Sequence, residues 1–63
     1  MRVRLKRDIR SMGLHSGSVG IVLRCFPYQS FCEVEFKNNS GEVIVVHLGQ
    51  HFYDVLETEK GKQ

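Results

Sequence analysis

An all-β fold, a small closed or nearly closed barrel of five short antiparallel strands, is predicted by three observations. Apolar and polar residues alternate at period two along several stretches, and clusters of Gly, Asn, Ser and Pro punctuate the chain at short intervals. Helical spacing of apolar residues is almost nowhere to be found. Closure into a barrel would also cover sheet edges that so short a chain has no other means to protect.

The elements follow in order. Met1, Val3 and Leu5 alternate with Arg2, Arg4 and Lys6, the pattern of a half-buried strand. Asp8 to Ser18 contains Ser11, Gly13, Ser16 and Gly17 and reads as a long loop ending in a turn. The organising stretch runs from Gly17 to Leu23: two glycines suited to positive φ or close approach, then an apolar run of strand length. Val19 to Phe26 is therefore the second strand, ended by Pro27, Tyr28, Gln29 and Ser30. Phe31 to Lys37 alternates again, with Cys32, Val34 and Phe36 on one face and Glu33 and Glu35 on the other. Asn38-Asn39-Ser40-Gly41 is a hairpin loop, since Asn and Gly take turn dihedrals at least steric cost. Glu42 to Leu48 is the fourth strand, Gly49 to His51 a single turn of 3₁₀ type, and Phe52 to Glu57 the fifth strand. One domain spans residues 1–57, and the polar stretch 58–63 is expected to fray.

The hairpins suggest a register. A four-residue loop pairs Lys37 with Glu42, Phe36 with Val43, Val34 with Val45 and Cys32 with His47. Across the preceding hairpin, Cys25 falls opposite Cys32, Arg24 opposite Glu33, Leu23 opposite Val34 and Ile21 opposite Phe36. The inward set is then Val19, Ile21, Leu23, Cys25, Cys32, Val34, Phe36, Val43, Val45 and His47. Val22, Ile44 and Val46 point outward as a small apolar patch, a candidate contact surface.

The chain has 63 residues, 41% hydrophobic and 25% charged, the composition of a globular domain too small for more than one core. The N-terminal alternation lacks the apolar run of a signal peptide, and no stretch reaches membrane-spanning length, so a cytoplasmic location without membrane contact is expected. In that compartment the two cysteines would stay reduced.

Val3-x-Leu5 through Asp8-Ile9, Gly13-Leu14-x-x-Gly17-x-Val19-Gly20-x-Val22, Val34-Glu35-Phe36, Gly41 and Val45-Val46-x-Leu48 together resemble a family of small bacterial SH3-like domains of unknown function. The resemblance runs from about Val3 to Leu56. The glycine-turn-strand signature is similar, more loosely, to the KOW motif of ribosomal proteins and transcription elongation factors. The family usually carries an acidic residue after the second glycine, where this chain has Ser18, and Cys25, Cys32 and His47 lie outside its pattern. The resemblance implies an SH3-like barrel serving as a binding or adaptor module.

Three constellations could carry chemistry. Cys25, Cys32, His47 and His51 supply the thiolates and imidazoles of a structural zinc site, and the register above lines up the first three. The plainer reading makes the cysteines small core hydrophobes and His47 a hydrogen-bonded barrel cap. The same register is compatible with a Cys25–Cys32 disulfide, which a reducing cytoplasm disfavours. Arg2, Arg4 and Lys6 form a basic row on strand one that suits phosphates, yet a net charge of +2 leaves little surplus for nucleic acid. The loop from Phe26 to Phe31 carries three aromatics. Its root phenylalanines read as barrel plugs, and Tyr28 at the tip as an exposed contact residue.

Catalysis finds no support: there is no nucleophile elbow, no phosphate-binding glycine loop before a helix and no shielded carboxylate pair. A non-enzymatic adaptor is expected, without cofactor, docking a protein partner through Arg24, Tyr28, Ile44 and Val46. The alternative is a KOW-like RNA-binding domain using Arg2, Arg4, Lys6 and Tyr28, and a homodimer through the Ile44 and Val46 patch is a third arrangement.

Overall fold

The computed structural model describes residues 1–57, and the C-terminal stretch expected to fray lies outside them. Five strands form one antiparallel sheet: β1 (Arg2–Leu5), β2 (Val19–Phe26), β3 (Phe31–Lys37), β4 (Val43–Leu48) and β5 (Tyr53–Glu57). Short 3₁₀ turns at Arg10–Met12, Pro27–Gln29 and Gln50–Phe52 connect them, and there is no α-helix among the described residues, hence none able to cross a membrane. The spatial order is β4-β3-β2-β1-β5. The sheet is therefore not closed: β4 and β5 are its two edges, where full closure was one of the two expected forms.

The two glycines of the organising stretch have different roles. Gly17 takes φ +96°, a conformation that a side chain would strain, and its N–H donates to Leu5 O at 2.8 Å while Leu5 N–H donates to Ser18 O at 2.8 Å. This clamps the long loop onto β1. Gly20 supplies close approach instead, because a Cβ there would lie 2.7 Å from Phe36 Cε1 and 2.8 Å from Glu35 O.

The core is a curled inner face made by Val3 and Leu5 of β1, Cys32, Val34 and Phe36 of β3, Val46 and Leu48 of β4, and Tyr53 of β5. Leu14 from the long loop completes it at 1% exposure, held by the Ile9–Leu14 bridge with bonds in both directions near 3 Å (Ile9 N to Leu14 O 3.0 Å, Leu14 N to Ile9 O 3.1 Å). Val22, Ile44, Ile9 and Phe52 pack against it. Burying these side chains is the main source of stability for so small a chain.

Two of the predicted cross-strand pairs hold, and each departure has a local cause. Cys25 pairs with Cys32 and Arg24 with Glu33 as expected, but the register then shifts between Val22 and Arg24, so that Val22 lies opposite Val34 and Ile21 opposite Glu35. Leu23 is the extra residue of a β-bulge, and an extra residue reverses the facing of everything before it. Val19, Ile21 and Leu23 consequently point outward, each 49% exposed.

The second departure lies at the β3–β4 hairpin. Lys37 pairs with Val43, not Glu42, and the slip carries through to Phe36–Ile44, Val34–Val46 and Cys32–Leu48. Asn38 dictates this: its Oδ1 accepts from Ser40 N–H and Glu42 N–H, each at 3.0 Å, and its own N–H donates to Glu42 O at 2.9 Å, drawing Glu42 into the loop. β4 is thereby turned over. Ile44 and Val46 face the core, and Val43, Val45 and His47 face out, opposite to expectation.

Candidate functional site

The two reversals leave an outer sheet face of unusual composition. Strand registers place Val45, Glu35, Ile21 and Arg2 in one row across β4, β3, β2 and β1. Toward one end lie Val43, Lys37, Val19 and Arg4, and toward the other His47, Glu33 and Arg24. Val43 is 57% exposed and Val45 49%, so β-branched side chains stand in water on a surface where polar ones would cost nothing.

The face continues into an aromatic corner. Phe26 and Phe31 pair across β2 and β3 with ring centroids 5.1 Å apart, and Phe31 stacks on His47 at 4.7 Å. Arg24 lies over Phe26 at 5.0 Å and donates from Nε to Glu33 Oε1 at 2.9 Å. The other Glu33 oxygen is 3.3 Å from His47 Nε2. The Arg24 hydrogen bond chiefly holds the Glu33 carboxyl below the ordinary carboxylate range; desolvation opposes it, and His47 adds a weaker lowering. This network fixes the ring positions of the corner, so the outer face and the aromatic loop, expected as two alternative surfaces, are one.

Tyr28 stands fully exposed on the 3₁₀ turn beyond the corner, as predicted for the loop tip, while Phe26 and Phe31 are half-buried at its root. Ile44 and Val46, predicted as the outer patch, are removed from any contact surface by the slipped register, Val46 being buried to 6% exposure. The residues that replace them are Val43 and Val45, joined by Val19, Ile21 and Leu23, all of which sequence reasoning placed inside. Arg2 and Arg4 do lie on the outer face of β1, opposite Ile21 and Val19. Lys6 is drawn to Asp54 at 3.7 Å, and Tyr28 lies past the end of β2, about 17 Å or more from the Arg2 level by strand rise. The basic strand and the tyrosine thus lie apart along β2 and not side by side.

The zinc set does not assemble. Cys25 and Cys32 form a disulfide between facing residues of β2 and β3, which takes both sulfurs, and the hydroxyl of Tyr53 donates to Cys32 Sγ at 3.4 Å. His47 faces outward against Phe31 and Glu33. No group of metal-ligating side chains occurs among the described residues. The disulfide corrects the expectation of reduced thiols: facing strand positions bring the two cysteines together whatever the compartment. A cleft of about 500 Å³ beside it is bordered by Pro27, Phe31, Gln50 and His51.

Residues 2–51, most of the chain and all of its core strands but the last, match a domain family described as a domain of unknown function, DUF4926. The chain belongs to the DUF4926 family. No curated protein and no solved structure matches it. The DUF4926 match covers β1 to β4 and both reversals of facing, so the outer face lies almost wholly within the shared region.

Proposed function

We propose that this DUF4926 domain is a non-enzymatic adaptor, an SH3-like module that docks a protein partner on the outer sheet face. The observation that carries the reading is the exposure of Val19, Ile21, Leu23, Val43 and Val45 on one side of the sheet, each about half exposed or more. Such a face is stable in water only at a cost, and covering it returns about 25 cal/mol for each Å² of apolar surface buried. The charges around it point to the partner's character. Arg24 and Glu33 engage each other, which leaves Arg4 and Lys37 against Glu35 around the apolar centre, so the complementary surface is apolar with a partly acidic rim. The SH3-like assignment rests on the strand order, the long first loop and the 3₁₀ turn before β5.

Arg2 and Arg4, adjacent on the outer face of β1, support RNA as the second reading. Both readings are separated by capture from nuclease-treated lysate of the source cell, using the wild type and Ile21→Lys. Protein docking on the face predicts retention of a partner after nuclease and at raised salt, and its loss from the variant. RNA binding predicts nuclease-sensitive material whose retention falls steeply with salt and survives, or gains from, the added lysine.

A further inference from the structure

We propose that the Cys25–Cys32 disulfide is a thiol-exchange site, at which a peptide-sized thiol of low molecular mass becomes attached to Cys25 in the neighbouring cleft. This chemistry is independent of docking on the outer face, because Cys32 and the bond it makes to Cys25 belong to the inner side of the sheet.

The two sulfurs have different surroundings. Cys25 is exposed, whereas Cys32 is 8% exposed and part of the core. Thiol–disulfide exchange needs one sulfur open to attack and the other able to leave with the bonding electrons. Tyr53 assists the departure: its hydroxyl donates to Cys32 Sγ at 3.4 Å in a buried setting. Tyr53 is itself 7% exposed and lies opposite Leu5 in the β1–β5 ladder, which keeps the donor in place. A hydrogen bond to a sulfur favours its anionic form, so access selects Cys25 for attack and the tyrosine selects Cys32 to leave.

The incoming thiolate forms a bond to Cys25 Sγ as the Cys25–Cys32 bond breaks, and the bonding pair leaves on Cys32 Sγ. The incoming thiol loses its proton to water on ionising, and Cys32 takes one up from water. One disulfide replaces another: Cys32 is reduced, the incoming sulfur is oxidised, and no other oxidant or reductant is consumed. Cys32 ends as a thiol in the core, where burial opposes ionisation and slows its return attack on the new bond. The flanking pairs Arg24–Glu33 and Phe26–Phe31 keep β2 and β3 together throughout.

The cleft gives the attached group its place. Its volume, about 500 Å³, is that of a small-ligand site, and both cysteines border it. Pro27 and Phe31 supply apolar wall, while Gln50 and His51 bring side-chain hydrogen-bond donors suited to the amides and carboxylates of a short peptide. None of the lining residues is an acid, so those carboxylates meet no like charge in the wall.

Reduced glutathione, a tripeptide thiol, is the probe. The full oxidised chain is incubated with a modest excess, trapped with N-ethylmaleimide and mapped by mass spectrometry. Glutathione on Cys25 with maleimide on Cys32 should exceed the reverse arrangement by about ten-fold or more. Tyr53→Phe, which keeps the ring, should slow attachment by about three- to ten-fold with the circular dichroism unchanged. Gln50→Ala combined with His51→Ala should lower glutathione attachment by about three-fold or more, and leave exchange with 2-mercaptoethanol, which has no peptide part, as it was. Glutathione on Cys32 or shared evenly, passage straight to the dithiol without an adduct, or an unchanged rate in a folded Tyr53→Phe chain overturns the inference. Equal slowing of both thiols by the cleft substitutions overturns it as well, by removing the peptide-sized occupant. The preference between the two sulfurs is read on the wild type and stands whether or not either variant folds.

Discussion

The backbone of Gly20 lies against the ring of Phe36, where a Cβ would come within 2.7 Å of Cε1. Phe36 is 2% exposed and has core on its other side, so neither partner has room to yield. Gly20→Ala should destabilise the fold by about 1–3 kcal/mol through overpacking, although alanine usually favours a strand over glycine. Urea unfolding followed by tyrosine fluorescence or circular dichroism measures this, and an unchanged midpoint would contradict the packing described.

The Cys25–Cys32 bond closes a loop of sequence separation 7. Constraining so short a loop in the unfolded chain contributes about 2–3 kcal/mol on the chain-entropy account. Reduction with dithiothreitol should lower stability by that order and leave the sheet formed, since the β2–β3 pairing does not depend on it. Urea midpoints with and without reductant, together with circular dichroism of the reduced form, check both parts.

Glu33 links Arg24 and His47 with its carboxyl held below the ordinary range. A lowered folded-state value means that the stability Glu33 adds is present above its unfolded value, near 4.5, and disappears as pH falls through the lower folded one. Glu33→Gln should therefore flatten the stability-against-pH curve on the acid side, below about pH 5, and loosen the aromatic corner. Denaturation midpoints of wild type and variant across that window give the sign directly.

Asn38 holds the β3–β4 hairpin through two bonds to its side-chain oxygen, from Ser40 and Glu42. Asn38→Ala should cost about 1 kcal/mol, and Asn38→Asp should keep the loop. Amide exchange along β4 reads whether the register holds in each.

How much of this was legible in the sequence depends on the strand. β3 alternates strictly, so its faces were fixed by pattern alone, and Cys32, Val34 and Phe36 lie inside as read. β2 and β4 carry apolar residues at both parities, as in Val19 and Gly20 to Leu23, or Val43 to Val46. Period two cannot choose a face there, and one extra residue decides it. The signals that do choose were present but local: Gly20, whose missing side chain makes room for Phe36 on the inner face, and Asn38, whose side chain holds Glu42 in the hairpin and shifts the pairing by one residue. Leu14 shows a different limit. An isolated leucine in a loop looks incidental until the Ile9 bridge folds it onto the core at 1% exposure.

Docking on the outer face is tested most directly by a footprint on the isotope-labelled chain with the captured partner added. The account predicts that the methyl signals of Val19, Ile21, Leu23, Val43 and Val45 shift or broaden together, while those of the buried Val3, Leu5 and Val34 hold still. A footprint confined to Tyr28 and its turn, or to the basic β1 strand without the valines, would contradict it.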